Sequence, residues 1–244
     1  MLYNFKTYGK SIRSNFTQER KRIYISPEEK LILSENISDE LKEIITGLLL
    51  SDGTIRKQGQ YSLLSVQQTN EALVNLLWSK CNMYKLVNKK VQCLYRVNPI
   101  TGKEKKIVYY FQTLTFPYFN LFYYAWYKLD QINNTRKKVL PSDLDLYFTP
   151  LAIAHWIMGD GTFDKGKAQR IILCTDCFSL IEVNRLRSLL LKKYTIDSYI
   201  KSSKSGKNKL IHRIAISGNN RLKLQNLVCP YIIPSLLHRI GINN

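Results

Sequence analysis

Acidic residues are scarce in this chain. Only 18 Asp and Glu stand against 37 Lys and Arg among 244 residues, a formal net charge of +19 with a pI near 9.7. So large an excess repels itself in the compact state and points to a polyanionic partner. Nucleic acid leads, and no basic amphipathic helix supports a membrane surface instead. No apolar run reaches the roughly 18 residues needed to span a bilayer. The opening MLYNFKTYGKSIRSNF lacks the apolar core of a secretory signal and suits a transit peptide or a nucleic-acid-contacting arm. The five cysteines (81, 93, 174, 177, 229) are odd in number and irregularly spaced, which argues against a disulfide framework and for a reducing compartment. CTDC at 174–177 has no second ligand pair among the three histidines (155, 212, 238), so zinc is disfavoured and structural thiols are expected. A phosphate loop, G-x-x-x-x-G-K-[ST], is missing as well. What is plentiful is apolar and aromatic content, 45% and 11%, enough for folded cores.

Two stretches resemble each other: ITGLLLSDGTI at 45–55 and AIAHWIMGDGTF at 152–163. Each reads as an apolar helix closed by Asp-Gly, at Asp52-Gly53 and Asp160-Gly161. An acid has the wrong sign for a helix C-terminus, which already carries partial negative charge. The aspartates lie 108 positions apart, and each is followed by a strand pattern, a helix, a basic strand pair around a turn, and a further helix. The chain therefore reads as an α+β protein of two tandem αββαββα repeats. Expected boundaries are an N-terminal basic arm at 1–35 with a turn at SPEEK, a first repeat at 36–140, a linker at 133–143 and a second repeat at 141–244. Ser38 is the expected N-cap of the first motif helix, and Pro150 the first-turn residue of the second.

Basic strands and turns in both repeats suit a phosphate-gripping, base-reading surface, since a two-stranded ribbon fits the DNA major groove. Candidate contacts in the first repeat are Arg56, Lys57, Gln60, Gln68, Arg96, Lys103, Lys105, Lys106 and Gln112. In the second they are Lys165, Lys167, Arg170, Lys201, Lys204, Lys207, Lys209 and Arg213. Arg213 shares a strand face with Ile211 and Ala215, opposite His212 and Ile214. If the two motif helices pack side by side and parallel, Asp52 and Asp160 meet at a pseudo-twofold axis. Gly47 and Ser51 give the first helix a small ridge for close approach; His155 and Gly159 stand at the matching positions. Two carboxylates beside two helix C-termini need a cation, and Mg²⁺ is the fitting one, being hard and bound through one or two carboxylates plus phosphate oxygens. Such a metal can generate hydroxide and stabilise the oxygens of a phosphodiester under attack.

ITGLLLSDG and IAHWIMGDG resemble the two signature helices of LAGLIDADG homing endonucleases in their single-chain form, and YFTPLAIAHWIMGDGTF with ILCTDCFSLIEV resembles the fungal mitochondrial ribosomal-RNA-intron branch. The resemblance covers nearly all of the chain beyond residue 35. It implies motif helices at the interface between halves, and four-stranded antiparallel sheets forming a saddle over double-stranded DNA. It further implies metal held by Asp52 and Asp160, with Gly53 and Gly159 offering backbone oxygens. Gln67 and Asp176 match the water-ordering position of the second strand. Lys138 matches the family's catalytic lysine, while Arg239 occupies its place in the second half. His155 is expected to be a packing residue. Mn²⁺ is expected to substitute for Mg²⁺, and Ca²⁺ to bind without supporting cleavage. The implied protein is a monomeric, intron-encoded, mitochondrial or other organellar enzyme making a staggered double-strand break in a long asymmetric site. Two rivals use the same scaffold: an intron maturase that binds host RNA, and a nuclease-dead DNA-binding regulator, which would be expected to have lost an acid.

Overall fold

The computed structural model describes residues 25–97, 104–131, 134–204 and 210–242. A leading helix, α1 (Pro27–Glu35), precedes the first repeat. SPEEK is thus not a turn: Ser26 Oγ accepts from the Glu29 N–H at 3.1 Å and Pro27 fills the first position, so the stretch starts a helix. The rest of the expected arm, 1–24, lies outside the described residues.

The first repeat runs α2 (Asp39–Leu50), β1 (Thr54–Gln58), β2 (Tyr61–Gln68), α3 (Glu71–Met83), β3 (Gln92–Val97), β4 (Glu104–Gln112) and α4 (Tyr118–Trp126). A hairpin, β5 (Tyr127–Asp130) and β6 (Thr135–Lys138), and a short helix, α5 (Leu144–Tyr147), then lead to the second repeat. That repeat runs α6 (Pro150–Asp160), β7 (Gly161–Asp164), β8 (Arg170–Leu173), α7 (Leu180–Tyr194), β9 (Tyr199–Lys204), β10 (Leu210–Ile216) and α8 (Gly218–Val228), closing in 3-10 turns at Cys229–Tyr231 and Pro234–Ile240. The sheets are antiparallel and have matching orders, β1-β2-β4-β3 and β7-β8-β10-β9. The fold is α+β with two repeated αββαββα units. The stretch read as linker, 133–143, is partly structured, because its TRKK segment pairs with Tyr127–Asp130 as strand β6.

Alternation along each strand sorts side chains into two faces. Ile55, Leu64, Val66 and Phe111 pack inward in the first sheet, as do Ile171, Leu173, Ile214 and Ile216 in the second. The helices cover these inner faces and leave the opposite faces open.

The two repeats join through α2 and α6, which are buried on all sides over residues 44–50 and 152–159. Ser38 and Thr149 cap their N-termini, and Thr149 also donates to Glu43 of the other helix at 2.7 Å. A Cβ on Gly47 would overlap the Ala152 carbonyl and come within 2.7 Å of His155 Cβ; one on Gly159 would overlap Ser51, 2.7 Å from its Cβ. One glycine thus stands at each of the two levels where the helices meet. His155 fills the room opposite Gly47, which makes it the packing residue the sequence suggests. Burial pushes its imidazole down to about 3, with Lys80 adding to the effect, so it is neutral at physiological pH.

Gly159→Ala is expected to cost about 1–3 kcal/mol through overpacking. Adding Ser51→Gly, which vacates the opposing side, should restore part of that loss. Urea midpoints of the parent, both single variants and the double variant check this. Equal midpoints for Gly159→Ala and the parent would refute the close approach.

Candidate active site

Both motif aspartates arrive at the same end of the paired helices. Asp52 follows the last residues of α2, Asp160 ends α6, and both line one open cavity of about 470 Å³ together with Gln68, Lys165, His238 and Arg239. The glycine after each acid is required by a sharp reversal. A Cβ on Gly53 would lie 2.7 Å from the Leu48 carbonyl oxygen, and one on Gly161 2.8 Å from that of Ile157.

The helix ends that looked wrongly charged are capped by cations from elsewhere. Lys138 Nζ donates to the carbonyls of Leu49, Ser51 and Gly53 at 2.9, 3.3 and 2.9 Å. Arg239 Nη1 approaches those of Ile157, Gly159 and Gly161 at 3.4, 3.1 and 3.1 Å. The two triplets are the same positions of the repeat, so Lys138 and Arg239 are structural equivalents. They are delivered differently, Lys138 by strand β6 and Arg239 by a 3-10 turn. Burial pulls the Lys138 ammonium down from its usual range, while Cys177, Asp52 and Asp160 pull it back up. Three carbonyl acceptors engage all three of its N–H groups, which only the charged form possesses. In this geometry Lys138 supplies charge and has no free lone pair with which to act as a base, and Arg239 can do the same work.

Asp52 and Asp160 have different neighbours. Gln68 Nε2 donates to Asp52 Oδ2 at 2.7 Å and to the Gly159 carbonyl at 3.3 Å, tying the first acid to the second motif helix. Burial pushes the Asp160 carboxyl up to about 6; Asp52 and Asp176 add to this, and Arg213 and Arg239 oppose it. Cys174 lies against Asp160, and burial, with Asp160 contributing, pushes its thiol up to about 12. All five cysteines are free thiols.

Several expected site residues are placed otherwise. Gln67 is exposed on the open face, and it is the adjacent Gln68, on the inner face, that reaches Asp52. Strand register pairs Thr54 with Ser65 but Thr162 with Ile172, so the counterpart of Gln67 is Cys174 and not Asp176. Between equivalent paired positions the β7–β8 hairpin spans one residue fewer than β1–β2, ten from Thr162 to Ile172 against eleven from Thr54 to Ser65. Asp176 forms a two-pronged pair with Arg213 at 2.7 and 2.6 Å, which occupies both the expected water-ordering acid and the expected base reader. As for backbone metal ligands, the Gly159 carbonyl already accepts from Gln68 and Arg239, and that of Gly53 from Lys138. The Gly159 oxygen thus has both lone pairs engaged, while that of Gly53 keeps one.

The open face of the first sheet presents Arg56, Gln67 and Gln112, with Gln60 exposed at the β1–β2 turn. Lys57 is on the inner face, bonded to Asn120 at 3.2 Å and resting over the Tyr124 ring. In the second repeat Lys165, Lys167, Lys201 and Lys204 are exposed. Arg170 is held by Asp164 at 2.9 Å and the Tyr199 hydroxyl at 3.0 Å. Arg96, Lys105 and Lys106 belong to β3 and β4, but their side chains lie outside the described residues, as do Lys103, Lys207 and Lys209 entirely.

A model described as the LAGLIDADG DNA endonuclease family matches residues 42–224. The chain belongs to this family. It is 32% identical to the cytochrome b mRNA maturase bI2 of Saccharomyces cerevisiae, over 97% of this chain and 56% of that protein. It thus spans little more than half the length of this relative. The DNA endonuclease I-ChuI of Chlamydomonas applanata is 24% identical over 86% of this chain and 98% of its own length. Among solved structures, the homing endonuclease I-WcaI bound to its DNA recognition sequence superimposes with a TM-score of 0.72 at 26% identity, covering 91% of this chain and 97% of that one.

Arg239→Lys should preserve stability to within about 0.5 kcal/mol, because a single nitrogen makes the contacts and Lys138 shows that an ammonium suits the same three carbonyls. Arg239→Met should cost roughly 1–3 kcal/mol by leaving those carbonyls unpaired. Thermal unfolding of the two variants side by side decides the matter, and equal losses would disprove the equivalence.

Proposed function

We propose that this chain is a site-specific homing endonuclease that hydrolyses one phosphodiester in each strand of a long asymmetric DNA site. The observation that carries the reading is the meeting of Asp52 and Asp160 in one cavity at the junction of the two repeats, flanked by two open sheet faces. Each repeat takes one half-site. The monomer then presents both cutting centres, and the break is staggered.

The residues present suit Mg²⁺. Two carboxylates converge at the cavity, and the carboxyl of Asp160 is raised by burial and by its acidic neighbours, a condition that a bound divalent cation relieves. Among the described residues no cluster of three or more His, Cys, Asp and Glu could hold a metal by itself, so phosphate oxygens and water would complete the coordination. When bound, the metal supplies an activated water and charge neutralisation at the scissile phosphate. Asp52 and Asp160 hold it, Gln68 fixes the Asp52 carboxylate, and Lys138 and Arg239 keep positive charge behind both acids. The open faces bind the duplex, with affinity falling steeply as salt rises. Mn²⁺ substitutes, and Ca²⁺ binds without cutting. An organellar origin, mitochondrial above all, accords with the cytochrome b maturase relatives.

A second reading, maturase activity on a host intron RNA, is favoured by those same relatives and uses the same scaffold. Retention of both acids favours the nuclease, since RNA binding has no need of paired carboxylates.

A duplex library incubated with Mg²⁺ should yield double-strand breaks that vanish in Asp52→Asn and Asp160→Asn protein. Tight binding without cutting under any divalent ion would rule out the enzyme. A second measurement concerns pH. Because the folded Asp160 carboxyl sits at about 6, against 3.8 ordinarily, its ionisation disfavours the metal-free fold in full above pH 6, and that penalty is relieved progressively as pH falls from 6 to 3.8. Ca²⁺ competes with the proton. The rise in melting temperature it produces should therefore be larger at pH 7.5 than at pH 5.5, and nearly absent in Asp160→Asn. A shift independent of pH would contradict this.

A further inference from the structure

The hairpin β5–β6 separates the repeats, and the second repeat ends instead in 3-10 turns. Its inner face is anchored at the site: the Tyr127 hydroxyl accepts from the Ile55 N–H at 3.1 Å, and Lys138 reaches into the end of α2. Arg136 is committed to holding the hairpin down, donating to the Tyr127 carbonyl at 3.3 Å and lying 5.0 Å from the Tyr123 ring. The outer face is different. Lys128 and Lys137 are directly opposite each other in the register, and both are exposed. Like charges facing each other across a strand pair are destabilising, and a two-stranded hairpin has little stability to spare. Lys128 Nζ has one long bond, to the Tyr124 carbonyl at 3.3 Å. Such a pair is stabilised by an anion that bridges it.

We propose that Lys128 and Lys137 form a phosphate clamp that grips the DNA backbone beside the cut, on the half-site under the first repeat. Position supports this. Lys137 adjoins Lys138, whose side chain ends at the carbonyls flanking Asp52, and adjacent Cα atoms are about 3.8 Å apart. Alternation turns Lys137 to the face opposite Lys138, so the clamp lies on the solvent side of the hairpin, within about two extended lysine side chains of the acid cavity. In the second repeat the residue preceding the capping cation is His238, on a 3-10 turn and not a paired strand, with Lys165 lining the same cavity. Among the described residues the cross-strand lysine pair belongs to the first half, and the two half-sites are held differently. This inference rests on the endonuclease reading.

The test uses the full chain and a fluorescently labelled 40-base-pair duplex, with binding measured across a salt series. Lys128→Ala/Lys137→Ala should weaken binding and reduce the slope of log affinity against log salt by roughly two, about 0.9 for each phosphate no longer neutralised. Its melting temperature should not fall, because a repulsion has been removed. Lys137→Glu, which creates an opposite-charge pair across the hairpin, should raise the melting temperature while weakening binding about tenfold or more. An unchanged slope in the double variant overturns the clamp and leaves the endonuclease reading standing. Failure of the parent protein to bind any duplex overturns both.

Discussion

The distance between the backbones of α2 and α6 sets the rest of the structure. Helices this close leave no room for two Cβ-bearing residues at a shared level, and one glycine is found at each: Gly47 against His155, and Ser51 against Gly159. The arrangement is complementary instead of symmetric. Two glycines at the upper level would leave a void where the His155 ring now packs, and voids of that size are costly. The same approach carries Asp52 and Asp160 into one cavity, so the spacing that joins the repeats also builds the site.

Close packing of two parallel helices brings both sets of terminal carbonyls and both acids together, with Asp160 half-buried and Asp52 exposed. That concentration of negative charge is the cost of the design, and Lys138 and Arg239 offset it by bonding to the orphan carbonyls of each last turn. Their role explains why lysine and arginine can exchange here. A base must give up a proton, and only lysine does so; a cap must keep its charge and point N–H groups at carbonyls, which both do. The geometry supports the second role.

Much of this was legible in the sequence. Apolar helix patterns ending in Asp-Gly, repeated with like downstream order, are local signals, and the repeated αββαββα plan follows from them. The residues missed share a different cause. A one-residue slip turns every strand side chain to the opposite face, and the register of β8, offset by one from that of β2, hid the counterpart of Gln67. Gln68 was visible as a strand residue, yet its bonds to Asp52 and Gly159 depend on contacts between segments distant in sequence. The Asp176–Arg213 pair likewise spans two strands. TRKK carries no alternation of apolar and polar residues, so nothing local marks it as β6 and not linker.

The pseudo-symmetry is close in the backbone and loose in the side chains. At the helix ends, three carbonyls and one cation recur in each half, whereas among the described residues the side chains around the two acids differ. An amide from its own repeat holds Asp52 and ties it to the opposite helix; Asp160 sits against a buried thiol and near an ion pair. A duplicated chain free to diverge keeps in common what the helix–helix joint demands, because a change on one side of the joint strains both. The surroundings of each acid lie off that joint and carry no such mutual constraint. Matching cap contacts beside unlike acid environments are therefore the expected outcome for two repeats held together by one helix pair in a single chain.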